Sequence, residues 1–215
     1  MRALFALLIC SFLLPAYGVE PGLRLKGGVS GLKLLGKVGD HIQVGGADFT
    51  VGGGGYADVS YRMQESFSIG VRGSWYTVGI SNTDKQWYDS ASLREILFIA
   101  TLIFNPDEDA RPFAAAGLGL SWLGWQYAAP HPVDGDPTFV INDDRRRAST
   151  FLFSVGAEVA LGEYWELIPA LNLRLHGWAD HTYQGVVQAD PDDEETSIAP
   201  TTTSLEITVG LARRF

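Results

Sequence analysis

From residue 22 onward, apolar and polar positions alternate along much of the chain. In the last segment Leu205, Ile207, Val209 and Leu211 share one parity, and Glu206, Thr208, Gly210, Ala212 and Arg214 take the other. The same period of two runs through Phe67, Ile69, Val71, Gly73 and Trp75, through Phe151, Phe153 and Val155, and through Leu167, Pro169, Leu171, Leu173 and Leu175. Successive side chains of a strand point to opposite faces, so each segment predicts a strand with one apolar face. Gly, Pro, Asn and Asp punctuate the segments as turn residues do. Strands are predicted over 22–34, 49–63, 66–79, 92–104, 112–125, 148–162, 165–178 and 203–215. The first loses its alternation at Leu32, Lys33, Leu34 and Leu35, and the fourth is apolar on both faces.

The connections follow a rule of their own. Those after strands two, four and six are short (64–65, 105–111 and 162–164). Those after strands one, three, five and seven are long and polar (35–48, 80–91, 126–147 and 179–202). Alternating lengths place all short turns at one end of an up-and-down meander, and an even strand count brings both ends of the chain there. The expected fold is therefore all-β: an eight-stranded antiparallel up-and-down barrel forming one domain over residues 19–215.

Residues 1–18 read differently. A positive start at Met1-Arg2, an apolar run from Ala3 to Leu14, Pro15, and small residues at Ala16 and Gly18 predict a secretory signal peptide cleaved after Gly18. The run is shorter than the ~20 residues a membrane-spanning helix needs. The single cysteine, Cys10, sits inside it, so the exported chain has no disulfide framework and no thiolate metal ligand.

Of the 215 residues, 46% are hydrophobic and 19% charged, too apolar a mixture for a disordered chain. The formal net charge of −9 argues against a nucleic-acid binder, which needs a basic stripe. The 25 glycines and the many aromatics suit strands and turns.

Alternation alone does not say which face meets water. A soluble lipocalin-like barrel with an apolar cavity and a membrane barrel with an apolar exterior share the same period. Asp58, Arg62, Arg72, Glu158, Arg174 and Glu206 fall in mid-strand on the minor face, which is the lumen if the barrel spans a membrane and the water-facing side if it is soluble. Aromatics break the tie. Trp75, Trp122, Trp125 and Trp178 fall at the long-connection ends of strands, while Tyr61, Phe67, Phe104, Phe113, Trp165 and Phe215 fall at the short-turn ends. Two aromatic girdles flanking an apolar band are what the two lipid–water interfaces select.

Phe215 follows Leu211, Val209, Ile207 and Leu205 on one parity, and Arg111-Pro112-Phe113-Ala114-Ala115-Ala116-Gly117-Leu118-Gly119-Leu120 is a Pro-aromatic, Gly/Ala-rich strand. In both respects the chain resembles the small eight-stranded bacterial outer-membrane β-barrel domains, of the opacity-protein, OmpX and OmpW-like kind, over essentially all of residues 19–215. The resemblance implies an outer-membrane location and export by the general secretory route. It also implies that Phe215, Leu211 and Val209 form a signal for the outer-membrane assembly machinery. Short turns and chain ends would then be periplasmic and the long connections extracellular. Arg213 departs from the pattern at the interfacial rim, where a charge costs little.

Candidate sites are few. Arg24, Lys26, Asp58, Arg62, Arg72, Glu158, Arg174, His176, Glu206 and Arg214 make up a lumen set, expected to be an ion-pair network because eight strands leave only enough room for side chains. A gated ion path is the alternative use of the same residues. His176 and His181 flank Trp178, but the inward parity of His176 departs from the lipid-facing His and Ser of outer-membrane lipid A deacylases. Ser154 and Glu158 could approach His176 only inside the lumen. The acidic run Asp190, Asp192, Asp193, Glu194 and Glu195, and Asp134-Gly135-Asp136, lack a complete calcium loop and read as solvated loop. Arg145, Arg146 and Arg147 are candidates to meet lipopolysaccharide phosphates at the outer rim, or simply to snorkel there. No cofactor or metal is expected. The partners expected are outer-membrane lipid and lipopolysaccharide, with no nucleic acid and no extracellular ligand identified. The expected function is non-enzymatic, structural or surface contact through four extracellular loops; the alternatives are a small porin-like channel or the soluble binding barrel.

Overall fold

A computed structural model describes residues 22–35, 48–81, 88–130, 139–179, 182–183, 186–187 and 201–215. The expected signal peptide of residues 1–18, Asp134–Asp136, His181 and the acidic run 190–195 lie outside them. The strands are β1 (Gly22–Leu35), β2 (Asp48–Gln64), β3 (Phe67–Ser81), β4 (Tyr88–Ile103), β5 (Ala110–Pro130), β6 (Phe139–Ala160), β7 (Trp165–Trp178), β8 (Thr182–Tyr183), β9 (Val186–Val187) and β10 (Thr201–Arg214). Neighbours pair antiparallel from β1 to β7, β7 pairs with β10, and β10 returns to β1 in a register that sets Val29 against Val209. Eight strands thus close a barrel, and β8 and β9 add a small hairpin to the edge of β6 above it. Closure leaves no open edge in the membrane-sized part of the sheet.

The apolar parity faces outward. Val29 is 70% exposed, Phe98 62% and Ile207 64%, and the cross-strand row Val71, Phe98, Leu118 and Phe151 circles the wall at mid-height. This overturns the soluble lipocalin-like alternative, which needs these side chains inside. So wide an apolar exterior is stable only against hydrocarbon. Tyr61, Trp75, Trp122, Trp165 and Phe215 are exposed toward the two ends of this band, and Phe67 lies half-buried on the same parity. Trp178 does not join them. It shares the parity of Arg174 and His176, is buried in the lumen, and donates its indole N–H to Thr202 Oγ1 at 2.7 Å. Phe113 is likewise inside, against Ile103 and Ile168. The side chain of Trp125 lies outside the described residues.

Two strand boundaries also differ from expectation. β5 and β6 remain paired well past 125 and before 148, with Gln126 against Asp143 and Pro130 against Phe139. Outside a bilayer a ladder needs no apolar face, so the polar stretch Asn142–Arg147 carries no alternation to reveal it. At the end of β1, alternation does persist: Leu32 and Leu34 point inward and Lys33 and Leu35 outward.

Glycines on the inner face give large lumen side chains their room. Tyr56 lies across Gly28 and Gly210, which oppose each other on β1 and β10. A Cβ on Gly210 would sit 2.1 Å from Tyr56 Oη, whereas one on Gly28 would sit 2.5 Å from the Val209 carbonyl oxygen and 2.6 Å from Gly210 Cα. Gly28→Ala is therefore expected to destabilise the barrel by about 1–3 kcal/mol whatever occupies position 56. Gly210→Ala should cost a similar amount alone but recover in the Tyr56→Leu background. Denaturant titrations of the four variants check this.

Candidate functional site

The lumen is built in tiers of inward-facing side chains. At the short-turn end, Glu158 and Glu166 face four arginines. Arg24 Nη1 donates to Glu158 Oε1 at 2.7 Å, and Arg62 Nη2 to Glu158 Oε2 at 2.7 Å. Arg24 and Arg111 both donate to Glu166, and Arg214 Nε reaches Glu166 Oε1 at 2.8 Å. In the next tier Asp58 lies between Lys26 Nζ at 4.0 Å and Arg72 Nη2 at 3.5 Å, and the Arg72 guanidinium sits 4.5 Å above the Tyr56 ring. A cavity of about 10 Å³, lined by Lys26, Tyr56, Arg72, Thr101, Ser154 and Glu158 among others, is room for roughly one water.

Above it, Arg174 is fully buried between two carboxylates. Its Nε is 3.0 Å from Glu95 Oε2 and its Nη1 2.7 Å from Glu206 Oε2. Its Nη2 donates to Tyr76 Oη at 2.9 Å, and the Tyr76 hydroxyl donates to Glu206 Oε1 at 2.7 Å. Asn172 Nδ2 donates to Glu206 Oε2 at 2.7 Å. Ser121 then joins Glu95 at 3.0 Å to Thr150 at 2.6 Å, and Thr150 meets His176 Nδ1 at 3.0 Å. The other ring nitrogen of His176 is 3.0 Å from Ser204 Oγ, and its ring stacks on Trp178 with centroids 5.4 Å apart. The last tier is apolar: Leu32, Leu34, Val78, Ala91, Leu93, Leu123, Ala148 and Trp178 meet across the barrel at the long-connection end.

The structure brings every residue of the expected lumen set to the inner wall or its rim, but in three separate groups. His176 is not with Ser154 and Glu158; both its nitrogens are taken by Thr150 and Ser204. Besides the neutral side chains Ser121, Thr150, Asn172 and Ser204, five charged or aromatic participants lie outside the expected lumen set. Arg111 falls in what reads as a turn. Glu166 stands on the polar face of strand seven, a parity signal that could have found it. Glu95 occupies a mostly apolar inner face between Leu93 and Leu97, Tyr76 is an aromatic on the polar inner face of β3, and Tyr56 stands among glycines. Arg213 on the outer wall is flanked by the Trp165 ring at 5.7 Å and the Phe215 ring at 5.0 Å, so its charge rests on aromatic faces at the rim. Arg147 is exposed at the far end of the wall, and the side chains of Arg145 and Arg146 lie outside the described residues.

No family model and no curated protein matches the chain. Among solved structures it is similar to the neisserial surface protein NspA, with 14% identity over 90% of this chain and 97% of that one, at a TM-score of 0.56. It is similar to OprG from Pseudomonas aeruginosa, with 8% identity over 91% and 96% and a TM-score of 0.53. The outer-membrane protein AlkL, solved in lipid bilayers, matches with 10% identity over 94% and 95% at a TM-score of 0.52. The chain is a closed membrane-spanning barrel with the fold of the small eight-stranded outer-membrane β-barrel proteins.

Proposed function

We propose that the protein is a non-enzymatic, non-conducting outer-membrane barrel that serves envelope structure or surface contact through its long-connection end. The observation that carries this reading is the filling of the lumen. Bridging ion pairs close the short-turn end, Arg174 and its carboxylates close the middle, and an apolar layer closes the far end. An ion entering this path would have to displace buried salt bridges and then cross a mostly apolar layer. His176 and the two hydroxyls that meet it, Thr150 and Ser204, are all buried in the filled lumen, and this lack of a substrate path supports a non-enzymatic reading. With the interior committed to holding the wall together, the arm of β5 and β6 and the long connections are the parts left to meet other molecules. The short turns would then face the periplasm.

Planar-bilayer recording tests the reading. The refolded protein, shown folded by a mobility shift on boiling, is expected to give no unitary current steps at either polarity. Reproducible steps of one size would instead establish the porin-like channel.

A further inference from the structure

We propose that Trp75, Arg94, Trp122 and Arg147 form a site on the outer wall for the phosphate groups of lipid head groups. The four residues stand in one cross-strand row. Trp75 of β3 pairs with Arg94 of β4, Arg94 with Trp122 of β5, and Trp122 with Arg147 of β6. All four are exposed on the parity that faces lipid.

The rows on either side give the height of this one. Directly below lie Gly73, Ile96, Leu120 and Ser149, and below those the apolar row Val71, Phe98, Leu118 and Phe151. Directly above lie Thr77, Ser92 and Gly124, where the wall turns polar. The Trp–Arg row therefore marks the level at which hydrocarbon gives way to head groups, the level that tryptophan also selects. Among the described residues, no carboxylate stands in the row or in the rows directly above and below it. The two arginines are two strand spacings apart, about 10 Å, so a head group bearing two phosphates reaches both. Each guanidinium presents a planar fork suited to phosphate oxygens, and each indole adds one N–H donor.

Snorkelling alone would not gather these residues on one wall. Among the described residues, the outward face at this end of β1, β2, β7 and β10 holds one cation, Lys33, set between Val51 and Leu205. The row is confined to β3–β6, beneath the arm of β5 and β6. The occupant is thus a phosphorylated lipid of the surrounding leaflet, held on one side of the barrel.

The proposal rests on the membrane-barrel reading, and the test separates the two. The full exported chain is inserted into phosphatidylcholine nanodiscs containing a minor share of diphosphorylated lipid A or its dephosphorylated form. The lipid retained on the barrel after detergent extraction is then measured. Enrichment of the phosphorylated form is expected. Arg94→Gln should lower it about fivefold, and Arg94→Gln with Arg147→Gln about 25-fold, the sum of two interfacial charges. Arg213→Gln at the opposite rim should leave it unchanged. Arg94→Lys with Arg147→Lys, which keeps the charge, should retain part of it and guards against a folding defect in the glutamine pair. Equal retention of both lipids, or an enrichment indifferent to Arg94 and Arg147, overturns the site, as does displacement by dilute inorganic pyrophosphate, which would mark a soluble-anion site. Loss of the mobility shift on boiling in the unaltered protein would instead overturn the membrane-barrel reading.

Discussion

Arg174→Met is expected to cost the barrel about 3–5 kcal/mol, the largest loss of any single substitution considered. The guanidinium touches two carboxylates and a phenol, none of which has access to water. Its removal leaves Glu95 and Glu206 facing one another across the lumen with one cation fewer, and an unpaired buried charge costs more than the pair contributes. The contrast with the other end is instructive. Glu158 and Glu166 each meet several arginines, so loss of Arg24 or Arg214 leaves partners in place and should cost less. Replacing Arg174, Glu95 and Glu206 together by apolar residues of matched volume is expected to restore most of the loss, because no stranded charge remains. The readout is the denaturant midpoint of the transition from the compact to the boiled mobility on gels. A single variant as stable as the unaltered protein would show that the pairs are dispensable.

Phe98→Arg is expected to cost about 2–4 kcal/mol, because the side chain stands at mid-height on the lipid face. Arg72, inward-facing and in register with Leu97, one residue away along the same strand, bears its charge in the lumen beside Asp58. One residue of parity separates a tolerated arginine from a costly one. The same substitution at position 102, nearer the short turn, should cost markedly less, since the penalty falls to about 0–1 kcal/mol near the interfaces. Equal losses at 98 and 102 in bilayer-folded protein would mean that no hydrocarbon gradient surrounds the wall.

Much of this architecture is readable before any coordinates. Leu205, Ile207, Val209 and Leu211 declare their face by period alone, and the alternation of short and long connections orders the meander. What stayed hidden did so for physical reasons. The height of Trp178 at a strand end suggests a girdle position, but its parity, which sends it inward to Thr202, is the stronger constraint. Glu95 lies between Leu93 and Leu97 on a strand apolar on both faces, so periodicity there cannot say which face holds the polar lumen. The apolar tier at the long-connection end reverses the usual contrast, and for that reason Leu32 and Leu34 look irregular in the sequence. The continuation of β5 and β6 rests on backbone pairing in water, which leaves no trace in side-chain pattern. The pairing of Arg174 with both Glu95 and Glu206 depends on which strands face each other across the barrel, a relation that no local spacing encodes.

The seam between β1 and β10 sets the order of events during assembly. Val29 meets Val209 only when nearly the whole chain between them has been laid down, whereas each hairpin pairs neighbours close in sequence. Long-range pairing bears the loop-closure entropy of everything it spans, so the seam is the slow, late step and the hairpins the early ones. Until it closes, the nascent sheet carries two unsatisfied edges, one on each terminal strand, each able to template a foreign strand. The half-built barrel is thus most vulnerable to mispairing just before completion, and crowding many such chains together should lower the yield of closed barrels more than it slows any hairpin.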